Sequence, residues 1–171
     1  KVILNNEAAL DLLQTYAIIF SADRVQKGMS LLKDKTGKVI ASKALTIIDD
    51  PLLKNGMAST PFDGEGVACY TKDIVKDGQL VTLLYNLKTA LKDGVKTTGN
   101  ASRPSYSSTV NISPSNFYIK PGEHNPEELQ IKMDNGLLIT ELEGLHSGAN
   151  TISGDFSLAA KGFEVKNGKI I

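Results

Sequence analysis

Residues Gly144 to Gly162 read G-L-H-S-G-A-N-T-I-S-G-D-F-S-L-A-A-K-G. Four glycines, one of the chain's two histidines and a lone Asp lie between two apolar runs, Leu137–Leu142 and Phe156–Ala160. Glycine tolerates positive φ and lets a second backbone come close, so this density predicts a shaped loop. The apolar runs predict the strands that hold it. A polar loop on a rigid frame is where binding chemistry concentrates. His146, Ser147 and Asp155 invite a catalytic-triad reading, but Ser and His side chains adjacent in sequence diverge in extended chain and miss the required in-line geometry. Two readings of His146 stay open: it steadies the loop by donating to a backbone carbonyl, or it grips a peptide or a partner subunit.

Working outward, Asn135-Gly136 predicts a turn into the Leu137–Leu142 strand. Asn125-Pro126-Glu127-Glu128 predicts a helix start, with proline at the first position, an acidic first turn, and Leu129 and Met133 on the buried face. Phe117–Lys120 reads as a strand. Downstream, Phe163–Lys166 and Lys169–Ile171 flank Asn167-Gly168 as a hairpin. The clearest hairpin is Val67–Lys76 and Gln79–Asn86 around Asp77-Gly78, a pair suited to positive φ. Cys69 falls inside its first strand, as a buried, inert thiol. Leu45–Ile48 is a further strand, stopped by Asp49-Asp50-Pro51. The Thr60–Gly66 loop carries Asp63 and Glu65, read as turn-making carboxylates although paired acids can also serve acid–base or cation chemistry. Ala90–Lys92 predicts a short helix ending near Gly94.

The N-terminus differs. Val2–Leu4 reads as a strand, Asn6 as the cap of a helix carrying Leu10, Leu13, Ala17 and Phe20 on one face, and Ser21 or Asp23 as the cap of a second helix. Residues 95–116 are small and polar, and predict a long loop that is either functional or mobile; Arg103 is its most chemically distinctive residue. The total is about seven strands and three or four short helices with no alternating βαβ units. This predicts an α+β fold, a large mainly antiparallel sheet in a single domain over 1–171, with a helical segment about 6–34 and a β-rich remainder.

The chain carries 19 basic and 19 acidic residues, interspersed. Nucleic-acid binders usually hold a basic surplus, so none is expected as a partner. Cys69 is the only cysteine and no long apolar run exists, so a reducing, cytoplasmic setting without membrane contact is expected. The opening at Lys1, without Met, reads as a piece of a longer protein, with any chemistry free to lie upstream. Neither His124 nor His146 has the second His of a zinc-protease helix, and the G-x-S-x-G elbow and phosphate-binding glycine loops do not occur.

Four stretches carry a resemblance: 144–162 as quoted, I-I-D-D-P-L-L at 47–53, S-T-P-F-D-G-E-G-V at 59–67, and T-G-N-A-S-R at 98–103. In this order they resemble the TldD/PmbA family, in its PmbA (TldE) branch and its C-terminal domain. The resemblance implies a cytoplasmic bacterial setting and a metallopeptidase system that processes small or unfolded peptides. It also implies a TldD-like subunit or a second copy as partner. In that system the active subunit resembles a zinc peptidase with an H-E-x-x-x-H helix and a Cys ligand in its glycine loop. Matching the loops puts that Cys at Ser147, a poor zinc ligand. The implied role is a metal-free partner subunit, without a cofactor in this segment, zinc belonging to the partner or upstream. The alternatives are an active zinc peptidase whose histidine helix lies upstream, and a plain protein-interaction domain. Asn100, Arg103, His146, Ser147, Asn150 and Asp155 are the expected polar lining for peptide or partner. Asp63-Gly64, Ala68-Cys69 and a basic run reduced to Arg103 depart from the family pattern.

Overall fold

The computed structural model describes residues 1–171. In chain order the elements are β1 (Val2–Leu4), α1 (Asn6–Tyr16), a 3-10 turn (Ala17–Phe20), α2 (Ala22–Gln26), β2 (Ile47–Asp49), β3 (Lys72–Lys76), β4 (Gln79–Leu80) and α3 (Leu87–Asp93). There follow β5 (Ala101–Ser102), β6 (Asn111–Ile112), β7 (Phe117–Ile119), α4 (Pro126–Met133), β8 (Gly136–Glu143), α5 (Leu145–Gly148), β9 (Ala159–Lys166) and β10 (Lys169–Ile170). The chain divides into two compact units, Lys1–Tyr16 with Pro121–Ile171, and Ala17–Lys120.

The first unit is built on a four-stranded sheet in the order β1-β8-β9-β10. β8 and β9 run antiparallel along their whole length, while β1 pairs with β8 in parallel. Asn167 (φ 51°) and Gly168 (φ 71°) make the expected two-residue turn into β10. α4 begins where its sequence says: Asn125 accepts from the Glu128 N–H, and Glu128 returns the bond to the Asn125 N–H. Such a reciprocal box satisfies two otherwise orphaned donors. At the other helix the cap moves by one residue. Asn5, not Asn6, accepts from Ala8 N at 2.8 Å, because α1 already begins at Asn6.

The second unit holds a four-stranded antiparallel sheet, β4-β3-β2-β7, and the short β5–β6 pair. β2 is central, paired with β3 on one side and β7 on the other. Its core gathers Phe20, Leu32, Ile47, Ile74, Val75, Leu80, Leu83 and Leu84, all buried; each such side chain contributes about 1.5–3 kcal/mol when fully withdrawn from water. Asp77 (φ 48°) and Gly78 (φ 79°) form the hairpin turn read from sequence, but its arms shrink to β3 and the two residues of β4. Beyond Leu80 the chain leaves the ladder, and α3 then starts at the Asn86–Thr89 capping box. The segment 6–34 is helical only through Gln26 and continues as turns. Ser21 occupies the cap position of α2 without a side-chain bond. The α+β class is as expected, with its strands shared among several sheets. Residues 95–116 are not one open loop, since β5 and β6 pair within them.

Candidate functional site

The expected site residues divide between the two units. His146, Ser147, Asn150 and Asp155 lie in the first; Asn100 and Arg103 lie in the second.

In the first unit the glycine-rich segment is a compact coil between β8 and β9. Gly144 (φ 81°) turns the chain out of β8, and its carbonyl accepts from Ser147 N and Gly148 N, closing the single turn α5. Gly148 is required by close approach: a Cβ there would lie 2.3 Å from the Ser157 carbonyl, where real Cβ atoms do not fit. Asn150 organises the next bend. Its Oδ1 accepts from Ile152 N and Ser153 N, while its backbone N–H and carbonyl bond to Asp155 and Gly154. Tyr16 at the end of α1 donates to the carbonyls of Gly154 and Asp155, and its ring meets Phe156 edge-on at 6.5 Å. Strand β9 begins only at Ala159, so Phe156–Leu158 belong to the loop rather than to the expected strand. His146 stands exposed on α5, so the loop is steadied by Asn150 and Tyr16, not by the imidazole. Ser147, Asn150, Asp155 and Phe156 line an open cleft of 510 Å³.

In the second unit a smaller cleft of 330 Å³ is lined by Asn100, Arg103 and Asp63, with Pro51, Phe62 and Pro114 among its walls. Behind it lies a buried charge network that the sequence reading missed. Asp49, fully buried, accepts from Lys72 Nζ at 2.8 Å, Asn100 Nδ2 at 2.7 Å, Ser115 N at 2.6 Å and Ser115 Oγ at 2.8 Å. Lys72 is buried beside it and lies 4.9 Å from the centre of the Tyr70 ring. Four contacts to one carboxylate offset a desolvation cost that would otherwise exclude a charge from this interior. A signal was available, since an Asp ending an apolar strand and a Lys entering another can pair across a sheet. Asp63 behaves as the turn-maker expected. Its oxygens take the N–H groups of Glu65, Val67 and Ala101. Cys69 is buried, and burial, with the Asp63 charge adding, pushes its thiol pKa up. That fits an inert thiol, although it lies outside any strand.

A sequence pattern described as the PmbA/TldA metallopeptidase C-terminal domain matches residues 1–171. The chain belongs to this family. It is 37% identical over 169 residues to the metalloprotease PmbA of Escherichia coli O157:H7, covering 99% of the chain and 35% of that protein. It is 38% identical over 173 residues to an uncharacterized protein of Methanocaldococcus jannaschii, covering 100% of the chain and 40% of that protein. Among solved structures, a Thermotoga maritima protein described as a candidate modulator of a DNA gyrase superposes with a TM-score of 0.93 at 46% identity, over 99% of the chain and 38% of the other. TldE of Thermococcus kodakarensis shares the fold, with a TM-score of 0.81 at 24% identity over 99% of the chain and 41% of the other. The chain thus spans about two fifths or less of the length of these relatives. They include bacterial and archaeal proteins, so a bacterial source does not follow from the family.

Ser147 offers a neutral hydroxyl, already turned to the Gly144 carbonyl at 3.4 Å. No group of three or more His, Cys, Asp or Glu side chains is placed to hold a metal ion, whereas structural and catalytic zinc sites draw on thiolate, imidazole and carboxylate ligands. No helix is long and apolar enough to cross a membrane.

Proposed function

We propose that this chain is the C-terminal domain of a PmbA/TldE-like subunit, the metal-free member of a cytoplasmic metallopeptidase assembly that processes small or unfolded peptides. A TldD-like subunit supplies the zinc chemistry, and this domain contributes substrate binding and assembly. The observation that carries the reading is Ser147: a hydroxyl stands in the loop where the resemblance puts the active subunit's thiolate. Peptide binding is supported by an open edge. β9 is eight residues long and pairs with β8 along one side, but β10 covers its other side only at Val165 and Lys166. Over Ala159–Phe163, short of the Glu164 carbonyl that accepts from Ile171 N, that edge offers main-chain groups to an added strand, a mode that recognises backbone more than side chains.

Metal analysis and affinity purification of the intact protein test this. The expected result is less than stoichiometric zinc and co-purification with a TldD-like subunit. Stoichiometric zinc lost on replacing loop residues would overturn it. A second reading, an active zinc peptidase with its histidine helix outside these residues, is favoured by the metalloprotease names of relatives that the chain covers only in part. Peptide hydrolysis by the purified protein alone would establish that reading.

A further inference from the structure

Another cleft of the second unit, 610 Å³ in volume, lies between α2, the start of α3 and β6. Its size is mid-range for ligand pockets, about 300–1,000 Å³. Arg24 and Lys27 reach it from the α2 region and Lys88 from α3, with Ile18 and Met29 as apolar wall. These three cations meet one carboxylate, Asp23, which is already paired with Lys27 Nζ at 2.7 Å. Arg24, half-buried, and Lys88 take part in none of the ion pairs. The charge left over is positive, and it calls for an anion.

Two neutral features narrow which anion. Ser21 lines the cleft and is only 6% exposed. Its N–H and carbonyl are taken by Ile18 and Val25, but its hydroxyl caps nothing. Asn100 Oδ1 is the buried side-chain atom sealed without a partner; the unpartnered Ser21 hydroxyl keeps contact with solvent. The second feature is main chain. Ser113 N–H donates to the Asn100 carbonyl, and Ser102 pairs with Asn111. Main-chain groups alternate in direction along an antiparallel strand. Those of Asn111 and Ser113 therefore face β5, while those of Val110 and Ile112 face away from it. No main-chain partner meets them there, and both residues line the cleft. A free phosphate would use the cations alone. An extended peptide uses the open edge as well, and an acidic side chain suits the planar guanidinium fork.

We infer that this cleft binds an extended acidic peptide segment, which pairs with the outer edge of β6 at Val110 and Ile112 and places a Glu or Asp carboxylate on Arg24 and Lys88. This rests on the peptide-binding reading above and names the chemistry of the peptide.

The test is calorimetric titration of the intact protein with two end-blocked peptides, acetyl-Ala-Glu-Ala-Glu-Ala-amide and its Gln counterpart, and with inorganic phosphate. Hydrogen exchange over 109–112 is followed in parallel. The Glu peptide is expected to bind roughly tenfold tighter than the Gln peptide, the range of a charge-assisted hydrogen bond, and to slow exchange at Val110 and Ile112. Arg24→Gln combined with Lys88→Gln abolishes that preference. Lys88 is exposed, so Lys88→Gln alone supplies a variant that keeps the fold, with an expected loss of roughly threefold. Equal binding of the two peptides, a preference unchanged in both variants, unchanged exchange at 109–112, or no binding overturns the acidic-peptide site. Phosphate binding through Arg24 and Lys88 without binding of the Glu peptide overturns it too, in favour of a free anion. Equal binding would leave peptide binding itself standing. The zinc and co-purification measurements decide the subunit reading without involving this cleft.

Discussion

Asp49 and Lys72 show how much of the second unit hangs on single groups. Both are buried, and the carboxylate joins β2, β3, the Asn100 turn and Ser115. Lys72→Met removes the counter-charge and leaves Asp49 buried with only dipolar donors. The expected loss is about 3–5 kcal/mol by urea denaturation, the cost of orphaning a buried charge. Asp49→Asn combined with Lys72→Met should recover part of that loss, because no unpaired charge is left behind; a single variant within 1 kcal/mol of wild type, on the order of a surface change, would refute the account. Tyr85 makes a pH prediction. Burial, then the charge and hydrogen bond of Asp93, pushes its phenol up from 10.0 to about 12. The folded state thus holds this proton more tightly than the unfolded chain. The resulting stability is fully present below about pH 10 and is lost as pH rises through about 12. Ultraviolet titration should show a phenolate step near pH 12 in the wild type that Tyr85→Phe deletes, while that of Tyr70, also pushed up by burial, remains. A step already complete near pH 10 would remove the cause assigned to it.

The β8–β9 pair carries the first unit, and its tightest point is Gly162. A Cβ there would lie 2.0 Å from the Leu138 carbonyl and 2.9 Å from Ile139 Cα, beside the register shift between Ile139 and Glu141. The clash is with backbone, so no side-chain rotation relieves it. Gly162→Ala is expected to cost about 3 kcal/mol or more and to raise hydrogen exchange throughout β8 and β9. A loss below about 1 kcal/mol would mean that the ladder yields at this point. The turns and caps were readable here because their signals are local: Asn125 with Glu128, Asp77 with Gly78, Asn167 with Gly168. Strand lengths were not. The arms of the 67–86 hairpin look equally extended in sequence, but only Lys72–Lys76 and Gln79–Leu80 form strands of the ladder, Ala68 and Leu84 making isolated bridges elsewhere. A strand exists only where a neighbour accepts its hydrogen bonds, and that neighbour is distant in sequence.

Balanced charge bears on the chain as a whole. With 19 basic and 19 acidic residues the chain has no net charge to draw phosphates, despite the gyrase-related description of a relative. Labelled duplex DNA in about 0.15 M salt should bind more weakly than roughly 100 μM, the weak end of non-specific binding; a salt-dependent low-micromolar affinity would contradict this. Membership of the PmbA/TldD family was legible from four short stretches because their glycines, acids and prolines act locally, each in its own turn. The same locality made the shaped 144–162 loop and the turn role of Asp63 readable. The sequence did not reveal that Asn100 is locked by Asp49 with one oxygen left over, that Tyr16 holds the loop at Gly154 and Asp155, or that β9 keeps an open edge. Those facts join residues more than fifty positions apart, or depend on a partner that is missing. By itself the chain determined its turns, its α+β class and its glycine loop through local conformational preference. The state of each polar group, filled or free, was settled only when folding chose its neighbours, because hydrogen bonds and buried charges answer to distance in space.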